Sequence, residues 1–176
     1  DDIGTPLENI KQVAYAVPNF RTKINLLEVL LSNDTEMVKN LIFVAQKSTA
    51  DLLHNELKES GIESVEIIHS NKSQNYRFRV IKEFSEGTVK TLISTDIGSR
   101  GLDIQGISHV INMDIPTEPT DYTHRIGRTG RGTNTGTAVS LISPLEIDFF
   151  NSIEEMMKIK ISKNKLPVYI EVEERL

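Results

Sequence analysis

The sequence predicts a three-layer α/β sandwich: a mostly parallel sheet with helices on both faces. Two observations carry this. Short, bare apolar runs recur along the chain, and between them lie segments whose apolar residues repeat at helical spacing. Parallel strands need helical crossovers and lose both faces to burial, so they read as unbroken apolar runs. The 176 residues suit one domain of about 100–200 residues, read as a polar linker over 1–12 and a single α/β domain over 13–176.

The elements follow in order. Val13–Val17 is a short strand stopped by Pro18, and Phe20, Ile24, Leu27 and Leu31 mark the first helix. Leu41–Ala45 is the second strand. Ser48, with Asp51 three residues on, offers a capping pair for a helix carrying Ala50, Leu53 and Leu57 and closed by Gly61. Val65–Ile68 is the third strand, followed by Ser73 as N-cap, a stripe of Tyr76, Val80 and Phe84, and Gly87 as the stop. A fourth strand lies within Val89–Ser94, and Thr95–Gly106 reads as an irregular loop. His109–Met113 is the fifth strand, ended by Pro116 and Pro119. Asp121–Gly127 is a short helix running into a turn, because Gly127, Gly130 and Gly132 would each cost about 1 kcal/mol inside a helix. Thr137–Ile142 is a sixth strand, and Phe149, Ile153 and Met156 mark a closing helix.

Composition narrows the function. The net charge of −5 excludes a strongly basic protein that coats nucleic acid. The acidity sits at the two ends, while residues 11–143 balance fifteen basic against fifteen acidic side chains. Zero cysteine excludes a disulfide scaffold, thiolate zinc ligation and a cysteine nucleophile, and it suits a reducing, cytoplasmic location. No apolar run approaches the ~18 residues that cross a bilayer, so no membrane partner is expected. The four histidines have no ligand-like spacing, so no metal site is expected either. A start at Asp1 rather than methionine suggests a piece of a longer protein.

Three stretches carry candidate chemistry. In His124-Arg-Ile-Gly-Arg-Thr-Gly-Arg-Gly132, Arg125, Arg128 and Arg131 fall at steps of three with glycines between them. Planar guanidiniums with small neighbours suit a polyphosphate. The loop Ser94–Asp103 leaves a buried strand with hydroxyls, glycines, Arg100 and the carboxylates of Asp96 and Asp103. Its small residues and free N–H groups let phosphate or sugar approach. Lys72, Arg77, Arg79 and Lys82 form a basic window at a helix start, with Gln74 and Arg77 on one face. There is no Gly-x-x-x-x-Gly-Lys-Ser/Thr phosphate loop, so the chain lacks the main grip on a nucleoside triphosphate.

These stretches closely resemble a known family. Thr95-Asp96 with Arg100-Gly-Leu-Asp103, then His124–Arg131, are similar to motifs V and VI of DEAD-box RNA helicases. Leu41–Lys47 resembles motif IV, and Gln74-Asn-Tyr-Arg77 the Gln-x-x-Arg element. The likeness covers nearly the whole chain. The family's phosphate loop and Asp-Glu-Ala-Asp motif belong to an upstream RecA-like domain, so the expectation is a C-terminal helicase lobe alone.

The resemblance implies the following. ATP and Mg2+ are held mainly by the N-terminal lobe, and this lobe completes the site when the two close. Arg128 and Arg131 serve as arginine fingers, and Gly101 and Asp103 meet the nucleotide. Thr95, Gln74 and Arg77 hold RNA phosphates and sugars. Asp96, Arg100, His124 and Arg125 tie the lobes together or brace the site. RNA is contacted through its backbone, with little sequence preference, and the fragment alone is inactive. An alternative from another class is a standalone RNA- or protein-binding adaptor that ignores ATP.

Overall fold

The computed structural model describes residues 7–69, 71–130 and 135–173. Strand β1 (Ile10–Ala16) leads into helix α1 (Phe20–Asn33), and β2 (Asn40–Phe43) into α2 (Lys47–Glu59). Next come β3 (Val65–Ile68) with α3 (Gln74–Glu86), β4 (Thr91–Ser94) with the single turn α4 (Asp96–Ser99), and β5 (His109–Asn112) with α5 (Pro119–Ile126). The chain closes with β6 (Gly136–Ile142), α6 (Ile147–Met157) and β7 (Ser162–Asn164).

The strands form one sheet in the order β3-β4-β2-β5-β6-β1-β7, with every pairing parallel. Strands β2, β4 and β5 are buried at every position, as their bare apolar runs require. Alternate side chains point to opposite faces. Leu41 and Phe43 join Leu92 and Val110 under α3, α5 and α6, while Ile42, Ile93 and Ile111 pack under α1 and α2. This is the predicted three-layer sandwich. Among the described residues no helix is long and apolar enough to cross a membrane.

Several boundaries differ from expectation, each for a physical reason. β1 begins at Ile10, three residues before the expected start, because its backbone pairs with β6 through polar Lys11 and Gln12. α2 starts at Lys47 without a side-chain cap from Gln46, so the Ser48 capping pair is not formed. The preceding Ala45 N–H is held instead by the Asp114 carboxylate at 2.7 Å. α5 starts at Pro119, where a proline costs nothing because the first N–H groups of a helix have no intrahelical acceptor. The expected loop after β4 contains α4, whose Gly98 N–H is capped by the Thr95 hydroxyl at 3.0 Å. β7 was not expected: Ser162-Lys163-Asn164 is polar and exposed, and it joins the sheet by backbone pairing with β1, helped by a Lys163 bond to Glu154 of α6 at 2.6 Å. The Ser73 cap and the left-handed Gly87 stop stand as the sequence predicts.

Candidate functional site

The winding of the sheet sets where the site can be. The chain leaving β2 runs out past β4 to β3, whereas the chain leaving β4 runs the other way past β2 to β5. The carboxyl ends of β2 and β4 flank this reversal, the place where open α/β sheets hold ligands. Thr95 and α4 leave β4 there, and α5 follows β5 back over the same edge.

Arg125, on α5, forms the floor. Its side chain is 3% exposed. Nε donates to Asp96 Oδ1 at 2.8 Å and Nη2 to Asp96 Oδ2 at 3.0 Å, a two-pronged pair. Nη1 donates to Asn112 Oδ1 at 3.2 Å and to the Asp114 carbonyl at 2.7 Å. The guanidinium carbon lies 5.1 Å from the centre of the Phe43 ring. A buried cation is tolerated only when its donors are matched in this way.

The acceptors are themselves held. The Asp114 carboxylate takes the Ala45 N–H, and burial pushes its pKa up against the pull of that N–H and of Lys23 and Arg125. Lys23 of α1, 2% exposed, donates to the Met113 carbonyl at 2.7 Å and to Glu146 Oε1 at 2.6 Å. Glu146 Oε2 accepts from the Ile115 N–H at 3.0 Å. Residues 113–115 are thus pinned from three sides, which aims the Asp114 carbonyl at Arg125.

Arg128 lies one turn further on and is half-buried. Nη1 donates to the Leu102 carbonyl at 3.0 Å and Nη2 to the Ser99 carbonyl at 3.1 Å. It therefore crosses onto the loop that holds Gly101 and Asp103. Gly101 adopts φ +77° with open space where a side chain would stand, and exposed Asp103 accepts from Gln105 at 2.8 and 2.9 Å. Asp96, Arg100, Gly101, Asp121, His124 and Arg128 line one cleft of about 180 Å³ with Phe43 and Ser99. That is below the ~300–1,000 Å³ of a complete small-molecule site, so this cleft by itself is too small to enclose a whole ligand of that class. A larger, mainly apolar groove of about 380 Å³ lies by Val17, Pro18 and Ile142. Lys163 is the one charged side chain in its lining, so volume is not what marks the site.

On the neighbouring edge, Arg77 Nη2 donates to the Gly98 carbonyl at 2.8 Å, and Nη1 reaches Gln74 Oε1 at 3.4 Å. Gly98 packs so closely on the end of β3 that an added Cβ would lie 2.5 Å from the Ile68 carbonyl oxygen. Thr95, Gln74 and Arg77 therefore stand together around α4, with Gln74 exposed and Thr95 buried. Arg131 lies outside the described residues. Among those described, no cluster of three His, Cys, Asp or Glu side chains could hold a metal ion.

Sequence reasoning missed Phe43, Asn112, Asp114, Lys23 and Glu146. Two of them left a signal. Asn112 is an amide inside an otherwise apolar strand run, and Lys23 sits beside Ile24 and four residues before Leu27, on the buried side of its helix.

This fold and this edge define a RecA-like helicase lobe. Residues 22–133 match the family described as the helicase conserved C-terminal domain, and the chain belongs to that family. More particularly, it is the C-terminal domain of a DEAD-box RNA helicase. It is 40% identical over 165 residues to the RNA helicase CrhR of Synechocystis, covering 93% of this chain and 33% of that protein. It is 38% identical over 159 residues to the DEAD-box ATP-dependent RNA helicase CshA of Geobacillus kaustophilus, covering 90% and 33%. The chain thus spans about a third of these relatives. Among solved structures, E. coli SrmB bound to the regulator of ribonuclease activity A superposes with TM-score 0.87 at 31% identity, covering 94% of this chain and 96% of that one. S. cerevisiae Dbp5 bound to RNA and ADP BeF3 gives 0.81 at 35% identity, covering 89% and 42%.

Proposed function

We propose that this chain is the C-terminal lobe of an ATP-dependent RNA helicase and supplies half of a shared ATPase site. One observation carries the reading. Arg128 reaches from the end of α5 to the carbonyls of Ser99 and Leu102, which joins the arginine-glycine stretch to the loop of Gly101 and Asp103 beside one small cleft.

The phosphates and Mg2+ are gripped mainly by a second RecA-like lobe, and closure brings them to this edge. Arg128 then exchanges its carbonyl acceptors for phosphate oxygens, with Arg131 beside it, and the two guanidiniums neutralise charge that develops on the transferred phosphoryl group. Asp103 accepts from ribose hydroxyls next to Gly101. Arg125 and Asp96 keep the floor rigid, while Arg100 and His124, both exposed, face the other lobe. Thr95, Gln74 and Arg77 take RNA phosphates and sugars. Such contacts carry little sequence information, although 2′-hydroxyls can distinguish RNA from DNA. The lobe alone turns over no ATP, and the intact protein opens or remodels short RNA duplexes in the cytoplasm.

The test is Arg128→Ala in the intact protein. Turnover at saturating ATP and RNA is expected to fall by about 10³-fold or more, while ATP affinity falls far less. Equal losses of binding and turnover would remove the finger role.

A further inference from the structure

The outward face of α3 carries more than Gln74 and Arg77. Phe78 is 56% exposed. The core does not need it, because Val80 and Phe84 fill the inward face and Tyr76 and Ile81 flank them. Phe78 stands one helical turn beyond Gln74, and Lys82 one turn beyond Phe78. Positions four apart share a helix face, about 6 Å apart along the axis. The result is an amide, an aromatic ring and a cation in one outward column.

Two further features give the column direction and charge. Arg77 fixes α3 to the Gly98 carbonyl, so the Gln74 end of the column stands beside α4 at the carboxyl edge of the sheet, and the column runs from there toward Ser85, whose carbonyl accepts from Lys39 just ahead of β2. Residues 71–82 hold Lys72, Arg77, Arg79 and Lys82 and no acidic side chain. Lys72 and Arg79 lie over the Tyr76 ring, at 5.1 and 5.0 Å from its centre; Arg79 is paired with Glu83, so Lys72, Arg77 and Lys82 carry the positive charge of this face. An exposed aromatic set among cations matches a polyanion that also offers flat π faces. A single-stranded nucleic acid has that chemistry, since every base can stack and every linkage is anionic.

We propose that Phe78 is a stacking platform for one unpaired nucleobase of the RNA whose backbone meets Gln74 and Arg77, with Lys82 taking an adjacent phosphate. The inference rests on the RNA-binding reading above and adds a base contact to it. Stacking tolerates any base, so the contact requires that a base be present without selecting its identity.

The experiment uses the intact protein with a non-hydrolysable ATP analogue and single-stranded RNA oligonucleotides in which one abasic site is walked along the strand. At one position the abasic site is expected to weaken binding by about 5- to 150-fold. Phe78→Ala should weaken binding of the fully based strand by a similar factor and cost nothing further against the strand abasic at that position. Phe78→Trp should restore binding of the based strand. The proposal is overturned if Phe78→Ala leaves the based strand unaffected, or if it weakens based and abasic strands alike. The first outcome would leave the ring for another partner, such as an acidic peptide, and the second would mean that it shapes the helix. Arg77→Ala separates the two readings. It should weaken every strand regardless of base content, and unchanged binding there counts against the backbone contact without touching the Phe78 comparison.

Discussion

Arg125 and Arg128 are separated by one helical turn, and the structure holds them in opposite ways. Arg125 is buried and matched to Asp96, Asn112 and the Asp114 carbonyl, with Phe43 against its face. Arg128 is half-buried and leans on two main-chain carbonyls of a neighbouring loop. A guanidinium with matched buried acceptors has no better place to go, so it serves as framework. One resting on loop carbonyls beside a cleft can trade them for the oxygens of a phosphate. The same side chain thus serves rigidity at one position and, in the proposed reading, charge neutralisation at a phosphate at the next.

The sharpest test of the contrast crosses stability with turnover. Arg128→Ala should lose at least about 10³-fold in ATP turnover, or roughly 4 kcal/mol of barrier, while urea unfolding moves by less than about 1 kcal/mol. A large loss of stability with that variant would erase the distinction. Arg125→Ala should show the reverse emphasis, with about 3–5 kcal/mol of stability lost because Asp96, Asn112 and the Asp114 carbonyl lose their shared donor. Arg125→Lys should recover only a minor part, since an ammonium cannot make the paired contact to Asp96. Full rescue by lysine would show that charge alone, and not the fork geometry, holds the floor.

A smaller effect tests whether the framework extends behind the site. Lys23→Met removes the donor to the Met113 carbonyl and to Glu146 while keeping most of the side-chain volume. The expected loss is about 1.5–3 kcal/mol, the range for hydrogen bonds to charged groups. Because the Asp114 carbonyl would then be less firmly aimed, Lys23→Met combined with Arg125→Ala should cost less than the two separate losses added together. Strict additivity would show that Lys23 stabilises α1 and nothing more.

Much of this was legible in the sequence, and the reasons for the gaps are physical. β2, β4 and β5 could be read because burial on both faces leaves their centres unbroken apolar runs, Leu41–Phe43, Leu92-Ile93 and Val110-Ile111. β7 could not, because its three residues are polar and exposed and only its backbone pairing with β1 makes it a strand. Of the floor, Arg125 and Asp96 were legible as types, but their pairing was not. Asp96 and Arg125 lie 29 positions apart, and no local pattern says which acceptor will meet which donor. The Glu146 that fixes Lys23 is 123 positions from it. The bonds of Arg128 to Ser99 and Leu102 posed the opposite problem: these acceptors are carbonyls, which every residue possesses and which leave no trace in a sequence.

The smallest expected effect marks the other end of the scale. Arg79 and Glu83 form an ion pair at 3.2 Å one turn apart on α3, with Arg79 53% exposed. By residue type it is the same contact as Arg125 with Asp96, a guanidinium on a carboxylate. Water screens it, and holding two long side chains together costs entropy, so Glu83→Gln should destabilise the fold by only about 0.3–0.5 kcal/mol. Salt should separate the two cases further. At 1 M salt the screening length falls to about 3 Å, so the Glu83→Gln difference should vanish while most of the Arg125→Ala difference persists, since the guanidinium is itself 3% exposed and two of its three acceptor groups, Asn112 and the Asp114 carbonyl, are uncharged. If both differences shrank together, Arg125 would be drawing on solvent-screened attraction, and burial would not be what divides the two arginines of the site.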